Sequence, residues 1–412
     1  MPTPGVSWLF ADLNAYFASI EQELRPELRG RPIAVVPVEA DSTCCIAISY
    51  EAKRYGLSGG IHVSKARELC PHITLVKARP RLYIEFHDQI KAAIERCVPI
   101  QKVMSCDEFA CRLIGRECDP LRATEIAYAI KREIRSVGST LRCSIGLGPN
   151  RFLAKVAADV LKPDGLMLFD RSMLPDALFG LELSDLPGVG HRMEKRLRSA
   201  GISSVRQLCS LRRDQMSALW GNVWGDRMWL WFRGEDFVEP EDKPKQSFSR
   251  QHILPPACRD SERARAVAIK LMLSAARRMR EQNLWAGAVF LCVGFAGQRR
   301  ALEALIRFTP SQSPAVLQMQ LIELWKEVPP DATPTDITVG VSDLEPERVG
   351  LFEAPRDARE RVTETVDRLN TRYGLNSVYL GSIHNVRKEA PTRISFGAPP
   401  PRKDFEDTAD ED

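Results

Sequence analysis

The most constraining feature of this chain is where its short apolar runs end. Val6-Ser-Trp-Leu-Phe-Ala-Asp12 is a run of strand length closed by an acid, and Val103–Ser105 with Phe109–Ile114 frames a second acidic site, Asp107-Glu108. Such runs suit buried strands, and an acid closing one lies where the backbone reaches a surface. Around them the apolar period changes to three and four, as at Phe17, Ile20 and Leu24. Helical patterns follow over Tyr50–Tyr55, Ser64–Leu69, Pro80–Cys97, Pro120–Ser136 and Asn150–Leu161, with further strands at Pro32–Pro37, Cys44–Ser49 and Arg142–Leu147. Strands and helices in this mixed order predict an α+β sheet domain over roughly residues 1–170.

The rest of the chain changes character twice. From Met173 to Phe232 the pattern is helical, broken at Pro187-Gly-Val-Gly190, and the polar, Pro-bearing stretch Glu239–Gln246 marks a domain boundary. A β-rich stretch follows, with helices near Ser261–Glu281 and Pro314–Lys326. After Pro355 come one more helix and a Pro-rich, acidic tail expected to be disordered. At 412 residues the chain is long enough for several such domains.

Charge is distributed unevenly. The net +4 conceals a tail, 401–412, with two cations against six acids, and a block, 243–308, with thirteen Lys/Arg against four acids. A basic block inside a folded region points to a polyanion partner, although a merely solvated charged face has the same composition. No apolar run approaches the roughly 18 residues that span a bilayer. The start lacks the basic and apolar regions of a secretory signal, and eleven scattered cysteines include no CxxC pair. The expectation is a cytoplasmic protein with free thiols and no membrane partner.

Four clusters carry chemistry. Asp12 with Asp107 and Glu108 would place three carboxylates near one another, and a hard divalent cation such as Mg²⁺ relieves that repulsion; a polar turn at 107–108 explains the pair equally well. Ser49-Tyr-Glu-Ala-Lys-Arg-Tyr-Gly56 offers a hydroxyl and two cations after a strand, suited to phosphates or to a solvated helix face. Ser144-Ile-Gly-Leu-Gly-Pro-Asn150 through Lys162-Pro163 reads as strand, Gly-bearing turn and helix, which by itself is weak support for a phosphate site. Leu186-Pro-Gly-Val-Gly190, opening a helix that ends near Ser199-Ala-Gly201, has helix–hairpin–helix spacing. Its backbone amides at Gly188 and Gly190 can meet a nucleic-acid phosphate without reading sequence.

In this order, Asp12 with Ala15–Glu21, Ser49–Gly56, Ser105–Glu108 and Ser144–Lys162 resemble the motifs of the Y-family translesion DNA polymerases, over nearly the whole chain. Among the bacterial members the chain resembles polymerase IV and the polymerase V catalytic subunit, and Asp367–Gly374 through Gly381 looks most like the latter branch. The resemblance implies a right-hand polymerase, α+β and multidomain. A catalytic palm would comprise 1–14 and 79–171, fingers 15–78, a helix–hairpin–helix thumb 172–240 and a DNA-binding little finger 246–354, with a C-terminal helix and tail over 355–412. It further implies Asp12, Asp107 and Glu108 as catalytic metal ligands for two Mg²⁺ ions, with the Leu13 carbonyl as a further ligand. Phe17 falls at the steric gate against a ribose 2′-OH, and Tyr50, Lys53 and Lys162 at positions that bind the incoming dNTP. The partner would be primer–template DNA, and the activity low-fidelity nucleotidyl transfer to a primer 3′-OH in translesion synthesis and repair.

Three positions depart from the family pattern. Lys53 stands where Arg is common, replacing a bidentate grip by a point charge. Asn14 replaces the second acid of a frequent Asp-x-Asp, and Ala47 lacks a hydroxyl that often meets the triphosphate. These departures point to a slow enzyme. The alternative is a weak or silent DNA-binding accessory protein on the same fold, against which stands the retention of all three acids. A sliding-clamp contact is also implied, with Val349-Gly-Leu-Phe352 as the candidate peptide. That peptide lacks the Gln such motifs carry, and packing of Leu351 and Phe352 at a domain end accounts for it as well.

Overall fold

The computed structural model describes residues 5–41, 43–237, 245–298, 300–346 and 358–391, with residues 394, 399 and 405. The chain divides into two compact units, Met1–Glu239 with Ile394–Arg402, and Pro240–Arg393 with Lys403–Asp412.

The acid-closed run of the N-terminus is the central strand of the first unit. β1 (Trp8–Leu13) leads through α1 (Tyr16–Leu24) to β2 (Ile33–Val36), β3 (Ala47–Ile48), α2 (Tyr50–Lys53), α3 (Val63–Leu69), β4 (Thr74–Lys77) and α4 (Pro80–Glu95). Then come β5 (Ile100–Val103), β6 (Glu108–Arg112), α5 (Pro120–Val137), β7 (Cys143–Gly148), α6 (Arg151–Val160) and β8 (Leu166–Leu168). A five-stranded sheet has the order β5-β6-β1-β7-β8, and a small sheet the order β3-β2-β4. β1 is apolar because both its faces are covered. Leu9, Ala11 and Leu13 join the core with Ile90 of α4 and Ile130 of α5, while Phe10 packs with Ala154 and Ala158 of α6. Period-2 alternation therefore sends Asp12, two residues after Phe10, to the α6 side.

α6 lies close against the sheet because β7 is thinned by glycine. A Cβ on Gly146 would collide with the backbone of Ala154 and Ala158, and one on Gly148 would come within 2.8 Å of the Ala154 nitrogen. The Gly-x-Gly of the third sequence cluster thus serves helix–sheet packing. The expected strand Cys44–Ser49 shrinks to Ala47–Ile48 with an isolated bridge from Cys44 to His62. β4 and β8 are short, partly exposed strands that carry too little periodicity to be read in advance.

The remainder of the first unit is helical: α7 (His191–Ser199), α8 (Val205–Cys209), α9 (Arg213–Trp220) and α10 (Val223–Trp231). It is fixed to α6 by Phe152, stacked on Trp231 at 5.0 Å, and by the Asn150 amide, which donates to the carbonyls of Trp231 and Glu235 at 3.0 and 3.1 Å.

The second unit is an antiparallel sheet, order β11-β10-β12-β9, built from β9 (Ser247–Ile253), β10 (Leu284–Phe295), β11 (Leu302–Ser311) and β12 (Pro334–Pro346). α11 (Ser261–Arg280) and α12 (Pro314–Trp325) cover one face, where Val289, Leu291, Ile337, Val339 and Val341 are buried. α13 (Ala358–Tyr373) is tied to α11 by Arg280, which donates to both Asp367 oxygens at 2.7 and 2.9 Å. Residues beyond α13 then re-enter the core through Ile383, Val386 and Ala390. That segment has no periodic pattern of its own and was expected to be tail. Val349–Phe352 and nearly all of the acidic tail lie outside the described residues. Among the described residues no helix is long and apolar enough to cross a membrane.

Candidate active site

The acids predicted from sequence meet at one end of the first unit's sheet. β1 pairs antiparallel with β6 so that Asp12 is opposite Glu108, and with β7 so that Asp12 is opposite Ser144. The Leu13 amide donates to the Asp107 carbonyl at 2.9 Å, which closes the strand end against the 105–107 turn. That turn is held from behind by His87 of α4, whose Nδ1 lies 2.7 Å from the Cys106 carbonyl, and Ser105 donates to Asp107 Oδ1. Burial pushes the Asp107 carboxyl above its ordinary range; Ser105 opposes this, while the charges of Asp12 and Glu108 reinforce it.

Two lysines of the third cluster face these acids. Lys155 Nζ lies 2.6 Å from Asp12 Oδ2, 2.6 Å from Glu108 Oε1 and 3.3 Å from Asp159. Lys162 Nζ lies 2.8 Å from Asp12 Oδ1 and 2.7 Å from Asp159. Sequence reasoning had placed Lys162 among the phosphate-binding residues and had assigned no role to Lys155 or Asp159. Their i, i+4 spacing on a helix following the Gly-bearing turn is the signal that could have found them.

The second cluster reaches the same place. Ser49 caps α2 by accepting from the Ala52 amide, so that Tyr50 opens the helix and Lys53 lies over the Tyr50 ring at 4.3 Å. Burial lowers the Lys53 pKa; the Lys162 ammonium lowers it further and Asp12 opposes this. Tyr50 is raised by burial, with Lys162, Asp12 and Asp159 acting on it as well. The predicted phosphate ligands and the predicted acids therefore share one electrostatic environment, although they come from four separate segments.

Phe17, in the first turn of α1, is half-buried and stacked on Tyr83 with ring centroids 4.5 Å apart and an interplanar angle of 18°. Tyr83 is itself fixed. Its hydroxyl donates to Glu21 at 2.8 Å, Arg79 makes a bidentate pair with the same carboxylate at 3.1 and 2.6 Å, and the Tyr16 hydroxyl donates to the Tyr83 carbonyl. Ala15, the N-cap of α1, adopts a left-handed conformation (φ 47°) that turns the chain from the end of β1 into the helix that carries Phe17.

Of the three departures, Asn14 acquires a structural account. Its side chain is buried, donates to Ser144 at 3.1 Å and accepts from the Asp164 amide at 2.7 Å. It thereby ties the end of β1 to the loop that carries Lys162. Lys131 secures that loop from the other side, donating to the Asp164 carbonyl and carboxylate at 2.7 and 2.8 Å. An acid at position 14 would still accept from the Asp164 amide, but it has no NH₂ to donate to Ser144, so that hydroxyl would have to turn and donate to the carboxylate instead. Ala47 packs against the main core and makes no polar contact.

Four carboxylates, Asp12, Asp107, Glu108 and Asp159, face two ammoniums at this sheet end. Among the described residues no three carboxylate, imidazole or thiol groups close on a single point as a metal shell. The donors are nevertheless hard oxygens with an excess of negative charge, which is the chemistry a divalent cation takes. The helix–hairpin–helix glycines are far along the chain from this cluster and make a separate exposed feature. Gly188 has φ +87°, a conformation that favours glycine, and Gly190 caps α7 without a side chain over its amides.

An acid cluster at a sheet end, faced by lysines and a tyrosine, defines a site for a phosphate-bearing substrate. Comparison with known proteins makes the class specific. A model described as the impB/mucB/samB family matches residues 11–159, one described as the DNA polymerase-iota thumb domain matches 184–236, and the impB/mucB/samB C-terminal domain matches 245–350. The chain is 36% identical over 288 residues to DNA polymerase IV of Moorella thermoacetica, covering 68% of this chain and 71% of that protein. It is 30% identical over 382 residues to DNA polymerase IV of Pelotomaculum thermopropionicum, covering 90% and 93%. Its fold is similar to the Y-family DNA polymerase chimera Dbh-Dpo4(243-245)-Dbh, with TM-score 0.69 at 23% identity, and to DinB from Sulfolobus solfataricus, with TM-score 0.55 at 22%. Each of these two covers 83% of this chain and 100% of the other. The chain belongs to the Y family of translesion DNA polymerases and is a DNA-directed DNA polymerase. These relatives carry the polymerase IV name, rather than that of the polymerase V branch which 367–381 resembles.

Proposed function

We propose that this polymerase extends a primer 3′-OH past damaged template bases with low fidelity, using a single site formed by Asp12, Asp107, Glu108, Tyr50, Lys53 and Lys162. The observation that carries the reading is Lys162, which is ion-paired to Asp12 and acts electrostatically on Tyr50 and Lys53. Asp12, Asp107 and Glu108, with the Leu13 carbonyl, would hold two divalent cations, which when bound supply activation of the 3′-OH and charge for the departing pyrophosphate. Lys162 and Lys53 bind the β- and γ-phosphates as point charges, and the Tyr50 hydroxyl adds a hydrogen bond. Phe17, braced by Tyr83, closes the space a ribose 2′-OH would need. Gly188 and Gly190 offer amides to a DNA phosphate. On the face of the second unit's sheet away from α11, Ser249 is opposite Gly340, with Thr338 opposite Gln251 and Ser342 opposite Ser247, a stretch of polar residues and glycine that a nucleic-acid backbone can approach. A clamp contact through 349–352 is part of the same reading.

The test is primer extension with Mg²⁺ and all four dNTPs, beside the double variant Asp107→Ala, Glu108→Ala. Extension by the parent and loss of about three orders of magnitude or more in the variant is the expected result. Two proteins that bind primed DNA alike and extend nothing would establish the accessory protein instead.

A further inference from the structure

We infer that Lys155 is the resident counter-ion of the acid cluster, and that a divalent cation enters by displacing its ammonium from Asp12 and Glu108 onto Asp159. This rests on the reading of Asp12 and Glu108 as metal ligands. It concerns a residue that reading does not use.

Lys155 bridges the two carboxylates that face each other across the β1–β6 ladder, at 2.6 Å to each. A cation held by Asp12 and Glu108 would therefore meet an ammonium already seated there. Three carboxylates lie within 3.3 Å of Nζ, so the side chain can pass from one acceptor to another as an ammonium. The route is short, because Asp159 lies one turn along the same helix and is already 3.3 Å from Nζ. The Lys155 Nζ also lies over the Phe10 ring, 5.2 Å from the centroid, and α6 is seated closely on Gly146 and Gly148. Only the flexible end of the side chain has to move. The exchange keeps the cluster partly neutralised before metal and substrate arrive, at the cost of metal affinity.

The experiment is Mn²⁺ titration of the DNA-free protein, followed by water-proton relaxation, on the parent, Lys155→Met, Asp159→Asn and the double variant. Lys155→Met should tighten Mn²⁺ binding about tenfold, the scale of one partly buried ion pair. Asp159→Asn should weaken it in the parent, because the displaced ammonium loses its acceptor, and should weaken it less in the Lys155→Met background, where only the Lys162 pair is released. A general field effect would instead make the two substitutions additive, and that result overturns the exchange. Unchanged or weaker binding in Lys155→Met also overturns it. If Lys155→Met does not fold, Lys155→Gln takes its place in the same four-variant cycle, with the same supporting and overturning outcomes. Primer extension by the parent separates the two levels: a parent that extends primers while its Mn²⁺ affinity ignores Lys155 keeps the polymerase reading and loses this one. A coupled Mn²⁺ response in a protein that extends nothing does the reverse.

Discussion

The two units treat buried charge in opposite ways. In the second unit the buried Lys270 donates to the carbonyls of Arg387 and Glu389, both at 2.6 Å, and Arg280 is spent on Asp367. Those cations hold the C-terminal segment onto α11. At the sheet end of the first unit, four carboxylates meet two ammoniums, and Asp12 is buried while serving both of them. A charge matched by fixed partners holds structure together, whereas an excess of one sign held in place invites a ligand. The difference also tempers the basic block of 243–308. Lys270 and Arg280 act internally, and Arg307 is paired with Asp343 at 2.9 Å, so the cationic surface offered to DNA is smaller than composition suggests.

The sharpest way to break this contrast is through Phe17, which carries no charge and which the proposed function sets against the sugar. Phe17→Ala should relax discrimination against ribonucleotides by about 100-fold, the scale on which a pocket rejects one added hydroxyl, as measured by the ratio of kcat/KM for a dNTP and its rNTP. An unchanged ratio would place the sugar elsewhere. Asn14→Ala comes next. It leaves the half-buried Asp164 amide without its acceptor and should cost about 1 kcal/mol in denaturant unfolding of the first unit, with the Lys162 loop loosened. Full stability with a normal dNTP KM would show that Lys131 alone positions the loop.

A smaller effect separates structural from functional charge by pH. Burial would raise the Asp164 carboxyl, but hydrogen bonds and charge from Lys131 and Arg135 hold it below its ordinary value of 3.8. A lowered folded pKa stabilises the protein fully above the unfolded value and loses that stabilisation as the pH falls through the folded one. The melting-temperature gap between the parent and Asp164→Asn should therefore be constant at neutral pH and close below about pH 4. A gap that persists in stronger acid would mean that the carboxylate is not the source.

Much of this was legible in the sequence, for a physical reason. β1 is buried on both faces, so its run is continuously apolar and its closing acid stands out. Asp107, Glu108, Tyr50, Lys53 and Lys162 sit at element ends, which turn residues punctuate. What was missed is tertiary. Lys155 and Asp159 look like the solvated side of a helix until α6 is pressed onto Gly146 and Gly148. Asn14 looks like a lost acid until the loop at Asp164 folds back over it. Residues 377–390 have no period because they fill a gap in a core built by others.

The central claim is that the acids and the phosphate-binding cations work as one site. Single-turnover incorporation of one dNTP, followed against dNTP concentration on saturating primed DNA, tests it most directly in Lys162→Ala. The account predicts apparent dNTP affinity weakened by about 10- to 100-fold, the worth of a charged hydrogen bond, with DNA affinity unchanged. Unaltered dNTP affinity in that variant would contradict it.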